Sequence, residues 1–141
     1  RAESAREIAF RRALWREGVR GYRVHQPLPG RPDVTFPRLR LAVFLNGCFW
    51  HRCPVCAPQV PKANAEFWRE KLATNVRRDV AVRTQLERLG WDVLTIWEHE
   101  IRPDPVPRAR ELAAHVRTMR AMAWDDALGL RGYRRRRLMP S

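Results

Sequence analysis

Cys48, Cys53 and Cys56 are the only three cysteines in the chain, and they fall in one short stretch, Cys-Phe-Trp-His-Arg-Cys-Pro-Val-Cys. An odd, clustered set suits metal ligation better than a disulfide framework. The second pair has Cys-x-x-Cys spacing, which lets two thiolates reach one ion, and structural zinc takes four tetrahedral sulfur or nitrogen ligands. Two histidines compete for the fourth position. His51 lies inside the stretch; His99 follows the run Trp91–Trp97, and a strand there beside Leu41–Leu45 would carry His99 to Cys48. That favours His99 and leaves His51 for chemistry. The alternative is three reduced thiols without metal, and nothing marks one of them as an activated nucleophile.

Asp33 stands in Pro29-Gly-Arg-Pro-Asp-Val34, a stiff turn ahead of a short strand. A carboxylate there can hold a hard divalent ion against a phosphate, although the local sequence alone fits an ordinary turn aspartate better. His51 is equally a zinc ligand, a surface histidine or a general base held by the metal loop. Glu7 could add a second acid, but a glutamate on a helix surface is usually only solvated. Phe49-Trp50 and Phe67-Trp68 lie among Arg and Lys, a mixture suited to wedging between bases and holding phosphates. Phe67 is expected in the core, and at least one of Trp50 and Trp68 on the surface.

These residues need a scaffold. Ile8, Ala9, Leu14 and Trp15 recur near helical spacing over Glu3–Gly18, with Ser4 as cap. Tyr22–Leu39 is broken by proline and glycine around a short strand at Val34–Phe36. Leu41–Leu45 reads as a buried central strand. An irregular structured loop, Asn46–Lys62, precedes a helix over Ala63–Leu89 with Phe67, Leu72, Val76, Val80 and Leu86 on one face and Gly90 closing it. Trp91–Trp97 alternates as a strand, a proline-rich linker spans Pro103–Pro107, and a last helix covers Arg108–Met122. The tail, from about 125 to 141, ends in the basic run Arg131–Arg137. The order predicts an α/β fold with a central mixed sheet flanked by helices.

At 141 residues and 45% hydrophobic content, one domain over 1–141 is expected. Lys and Arg number 28 against 15 Asp and Glu, a formal charge of +13, and lysine occurs only at Lys62 and Lys71. Arginine forks match phosphate oxygens in pairs, so the charge points to nucleic acid, with Arg-rich drift of a GC-rich genome as the bland alternative. No stretch suits a membrane span or a signal peptide, so a cytoplasmic protein is expected. The chain starts at Arg1 without Met, and a preceding native segment is expected.

Leu28-Pro-Gly-Arg-Pro-Asp33, Val43-Phe-Leu-Asn-Gly-Cys-Phe-Trp-His51, Phe67-Trp68 with Lys71, Asn75 and Arg78-Asp79, Gly90-Trp91, and Val93-Leu-Thr-Ile-Trp-Glu98 together carry a signature. In order and spacing this resembles the Vsr very-short-patch-repair endonucleases, from about Glu7 to His99. The resemblance implies a restriction-endonuclease-like fold and magnesium-dependent nicking of double-stranded DNA beside T:G mismatches left by 5-methylcytosine deamination. It implies that Asp33 and the Leu45 carbonyl bind magnesium, that His51 activates water, and that Glu7 lies near the scissile phosphate. It makes Phe49, Trp50 and Trp68 an aromatic wedge, with Lys71 and Asn75 also binding DNA. It assigns a structural zinc to Cys48, Cys53, Cys56 and His99, keeping four ligands although two types differ and the third is displaced by one residue. Where well-known members carry a second active-site histidine, Asn46 stands; it can hydrogen-bond a phosphate but cannot titrate. A bacterial, nucleoid-associated monomer is expected, with mismatch-repair or restriction-modification proteins as partners. Two rivals stand beside this reading: a nickase with relaxed mismatch dependence in restriction or phage defence, and a zinc-stabilised DNA-binding module without activity.

Overall fold

The computed structural model describes residues 4–129, so the basic run Arg131–Arg137 lies outside the described residues. The first helix, α1 (Ala5–Arg16), starts at a capping box. The Ser4 hydroxyl accepts from the Glu7 amide at 3.2 Å, and the Glu7 carboxylate accepts from the Ser4 amide at 3.3 Å. Its buried stripe is Phe10, Ala13 and Leu14. Ala9 and Trp15 were expected on that stripe and are exposed. Each adjoins a buried residue but sits about 100° around the helix from it, and Trp15 instead receives the Arg20 guanidinium 3.3 Å from its ring centroid.

Three strands form the sheet, β1 (Val34–Phe36), β2 (Leu41–Asn46) and β3 (Asp92–Trp97), in the order β1-β2-β3. β1 runs antiparallel to β2 with Val34 opposite Val43, and β2 runs parallel to β3 from Leu41 opposite Asp92 to Asn46 opposite Trp97. The sheet is mixed and β2 is its centre, as the apolar run Leu41–Leu45 predicts. A parallel pair needs a long crossover, supplied by α2 (Ala65–Arg88).

α2 departs from expectation. Leu72 and Leu86 are buried, but Phe67, Val76 and Val80 are exposed, Phe67 at 60%. A helix of 24 residues runs roughly 36 Å, whereas a six-residue strand spans only about 20 Å. The helix therefore overruns the sheet at its start, where Phe67 lies, whereas Val76 and Val80 face Phe44, Val93 and Trp97 across a cleft of about 220 Å³ that the helix leaves open against the strands.

After β3 the chain turns directly into a short helix, α3 (Glu98–Ile101), which the sequence reading did not foresee. The last helix, α4 (Val106–Leu128), is longer than the expected Arg108–Met122 and absorbs the end of the supposed linker and the start of the supposed tail. Pro107 is tolerated because first-turn amides have no helical partner to lose. Ala109, Leu112, Ala113 and Val116 of α4 close the main core against Phe10 and Leu14 of α1 and against Val34, Phe36, Val43 and Ile96 of the sheet. No helix among the described residues is long and apolar enough to cross a membrane.

The turn that delivers Asp33 to the sheet is seated on α2 at Gly30. Its φ is +71°, and a Cβ there would lie 2.4 Å from a Val82 methyl. Gly18 also has positive φ, +85°, but opens onto space. Gly18→Ala is expected to cost only the left-handed backbone strain, about 1 kcal/mol. Gly30→Ala adds overpacking of about 1–3 kcal/mol. Urea unfolding midpoints of the two variants check the difference.

Candidate functional site

The polar residues of interest gather at the C-terminal end of β2. Asp33 immediately precedes β1; its amide donates to the Val43 carbonyl at 3.0 Å, and its carboxylate accepts from the Leu45 amide at 2.7 Å. The carboxylate is thereby fixed to the last turn of the central strand by a charge-assisted bond. Beyond Asn46 the chain reverses, with the His51 amide donating to the Gly47 carbonyl at 3.2 Å. This folds His51 back over the strand end. A cleft of about 410 Å³ is lined by Glu7, Leu45, Asn46 and His51, together with Arg6 and Glu98. Thus α1, β2, the loop and α3 each contribute to one cavity, and Asp33 is one hydrogen bond behind Leu45.

The His51 ring is held from the other side. Its Nδ1 lies 2.7 Å from Asp79 Oδ2 of α2. An ionised carboxylate can only accept, so Nδ1 carries a proton, and in the neutral imidazole the lone pair is then on Nε2. Asp79 had no assigned role in the sequence reading. Its signal was the Arg78-Asp79 pair within the family signature, but nothing local says that a helix position 28 residues on meets His51. Glu98 was also missed; it lines the cleft and is ion-paired with Arg6.

Phe49, Trp50, Phe67 and Trp68 form one aromatic cluster, with successive ring centroids 5.2 to 5.8 Å apart. Trp50 is exposed as expected and Trp68 is half-buried. Phe67 packs edge-on against Trp68 at the start of α2, beyond the sheet, which is why it does not reach the core. Asn75 donates to the Trp50 carbonyl at 3.2 Å and so steadies the loop, while Lys71 is exposed.

Beside the cleft, the ligand atoms of Cys48, Cys53, Cys56 and His99 all lie within 4.8 Å of one another. His99 Nδ1 is 3.5 Å from both Cys48 Sγ and Cys53 Sγ. Tetrahedral zinc with ordinary Zn–S and Zn–N bonds requires a sulfur–nitrogen separation of about 3.6 Å, so the four residues fit that ion. His99, now the second residue of α3, arrives because β3 runs parallel to β2. His51 is engaged by Asp79 and stays outside the set. Thiols packed this closely repel as anions: desolvation and the adjacent Cys48 and Cys53 push the Cys56 thiol up to about 11. Burial also works against ionising Cys53, but amide donors from Cys56 and Val55 together with the neighbouring Cys56 and Cys48 thiols lower its pKa. A bound cation would relieve that repulsion.

Purified protein is expected to carry one zinc per chain by elemental analysis. Chelation should lower its thermal midpoint, and Cys53→Ser should reproduce both losses. A full metal load in that variant would refute the assignment.

Residues 1–56 match the family described as DNA mismatch endonuclease Vsr. The chain is 32% identical to a type II nicking enzyme of Neisseria meningitidis, V.NmeAIP, over 77% of each chain. It is 38% identical to the type II nicking enzyme V.NaeI of Lentzea aerocolonigenes, over 78% of this chain and 69% of the relative. To the DNA mismatch endonuclease Vsr of Escherichia coli it is 44% identical over 53% of this chain and 48% of that protein. Family match and relatives agree, and the chain belongs to the Vsr family of DNA mismatch endonucleases.

Proposed function

We propose that the chain is a magnesium-dependent nicking endonuclease that cuts one DNA strand beside T:G mismatches arising from 5-methylcytosine deamination, on a restriction-endonuclease-like single domain. The observation that carries the reading is the His51–Asp79 pair, 2.7 Å apart, facing a cleft that also holds Glu7, Leu45 and Asn46. With Nδ1 committed to Asp79, His51 takes a proton from water at Nε2 while the water oxygen attacks phosphorus. The bond from phosphorus to the 3′-oxygen breaks, leaving a 5′-phosphate and a 3′-hydroxyl. Asp79 is a positioning residue: it fixes the tautomer and favours the imidazolium that forms.

The donors beside the cleft are oxygens: the Asp33 and Glu7 carboxylates and the Leu45 carbonyl. Such hard ligands suit magnesium, and a bound ion would offset negative charge on the phosphate. Asn46 donates to a phosphate oxygen without exchanging a proton, so the leaving oxygen takes its proton from solvent. Phe49, Trp50 and Trp68 supply the wedge that opens the duplex, and Lys71 and Asn75 face the DNA from the same helix that carries Asp79.

A second reading has its own support. Several relatives are named type II nicking enzymes, and Asn46 alters the site where a phosphate would lie. It describes the same chemistry with relaxed mismatch dependence, in the company of a restriction-modification system. Nicking rates on T:G and fully paired C:G duplexes separate the two: a preference of a hundredfold or more supports repair, and equal rates support the second.

Asp33→Asn is expected to abolish nicking in magnesium while leaving duplex affinity within a fewfold. His51→Ala should cost roughly 10²–10⁴ in kcat, the usual range for a general base. Asp79→Asn should cost less, with KM unchanged and an altered pH profile. Undiminished turnover by Asp33→Asn would overturn the mechanism.

A further inference from the structure

At the end of the sheet opposite Asn46 and Trp97 lies a larger groove, of about 750 Å³, between the β1–β2 turn and the last turns of α4. Arg23, Arg38 and Arg120 line it, and among the described residues no acidic side chain does. Trp124 stands at its edge, 65% exposed. Ala123 and Ala127 of α4 line it beside Trp124. Arg120 is already held: it donates to the Arg20 carbonyl at 2.5 Å and lies 5.9 Å from the Phe36 ring centroid. A pinned cation loses little further freedom on binding an anion.

The groove is separate from the nicking cleft and shares none of its lining residues. Six-residue β2, about 16 Å from first Cα to last, runs between their two ends of the sheet.

We propose that this groove binds single-stranded DNA, stacking one base on Trp124 while Arg23, Arg38 and Arg120 hold the adjoining phosphates. Charge complementarity calls for a polyanion. The free indole selects among polyanions: a duplex keeps its base faces stacked internally, whereas an unpaired strand offers them, and aromatic stacking combined with arginine is how such strands are held without sequence preference. An acidic protein segment would satisfy the arginines but leave the flat face of Trp124 unused. The inference goes beyond the nicking reading; a fraying end at a fresh nick is one source of unpaired strand.

Fluorescence anisotropy of a labelled oligothymidine with the zinc-loaded full chain, without added magnesium, tests the proposal. Trp124→Ala is expected to weaken binding about fivefold or more, and Trp124→Phe to restore most of it. Arg23→Ser/Arg38→Ser should flatten the dependence of log affinity on log salt by about 1.4, at about 0.7 per lost phosphate contact on a single strand. Nicking of duplex by Trp124→Ala should be unchanged. Unaltered oligothymidine affinity in Trp124→Ala overturns the proposal, because the contact is then charge without stacking. Complete displacement of oligothymidine by excess T:G duplex also overturns it, by placing the strand in the nicking cleft. A chain that nicks nothing yet binds oligothymidine through Trp124 would keep this inference and remove the nicking reading.

Discussion

The parallel pairing of β2 with β3 brings the parts of the candidate site together. Its register sets Asn46 opposite Trp97, so two segments about fifty residues apart in sequence end side by side. From one end comes the loop bearing Cys48 and His51, and from the other the short helix bearing Glu98 and His99. A slip of one residue would turn every side chain on β3 to the opposite face. It would break the metal set and expose Ile96 together. The buried positions Val43 and Ile96 therefore fix the geometry of the candidate site although neither lines it.

The Cys48–Cys53–Cys56–His99 cluster and the cleft are joined through one loop. Its backbone bends through residues with positive φ, Arg52 and Ala57, a strain few non-glycine residues adopt without support. Support comes from the Cys53 amide donating to the Cys48 carbonyl at 2.9 Å, and from Arg52, which reaches the carbonyls of Phe49 and Pro58. His51 sits within that scaffold, so its ring is aimed by Asp79 and its backbone by the loop.

Local patterns told much of this. The apolar run Leu41–Leu45, the Ser4 cap and the cysteine spacing each follow from short-range chemistry, and the approach of His99 follows from one strand running beside another. What was not legible depended on distance. Nothing near Asp79 distinguishes it from other solvated acids on a charged helix, and its contact with His51 arises only because α2 passes the strand end. Phe67 is hydrophobic, and periodicity assigns it to a core, but the helix extends past the sheet that would bury it. The proline cluster before α4 obscured a helix start because first-turn prolines and linker prolines look alike in sequence. By local sequence Asp33 is an ordinary turn residue; only the family resemblance marks it, and its bond to the Leu45 amide ties it to the strand end.

α2 also acts as a ruler. Trp68, Lys71, Asn75 and Asp79 are separated by three, four and four residues, a spacing that keeps them on one slowly drifting stripe of a helix. Eleven residues from Trp68 to Asp79 amount to roughly 16 Å of rigid rod. A single inserted residue within that span would swing Asp79 about 100° away from His51 while leaving Trp68 in place. Length variation among related chains should therefore collect in the loop before α2 or beyond Asp79, and be absent between them.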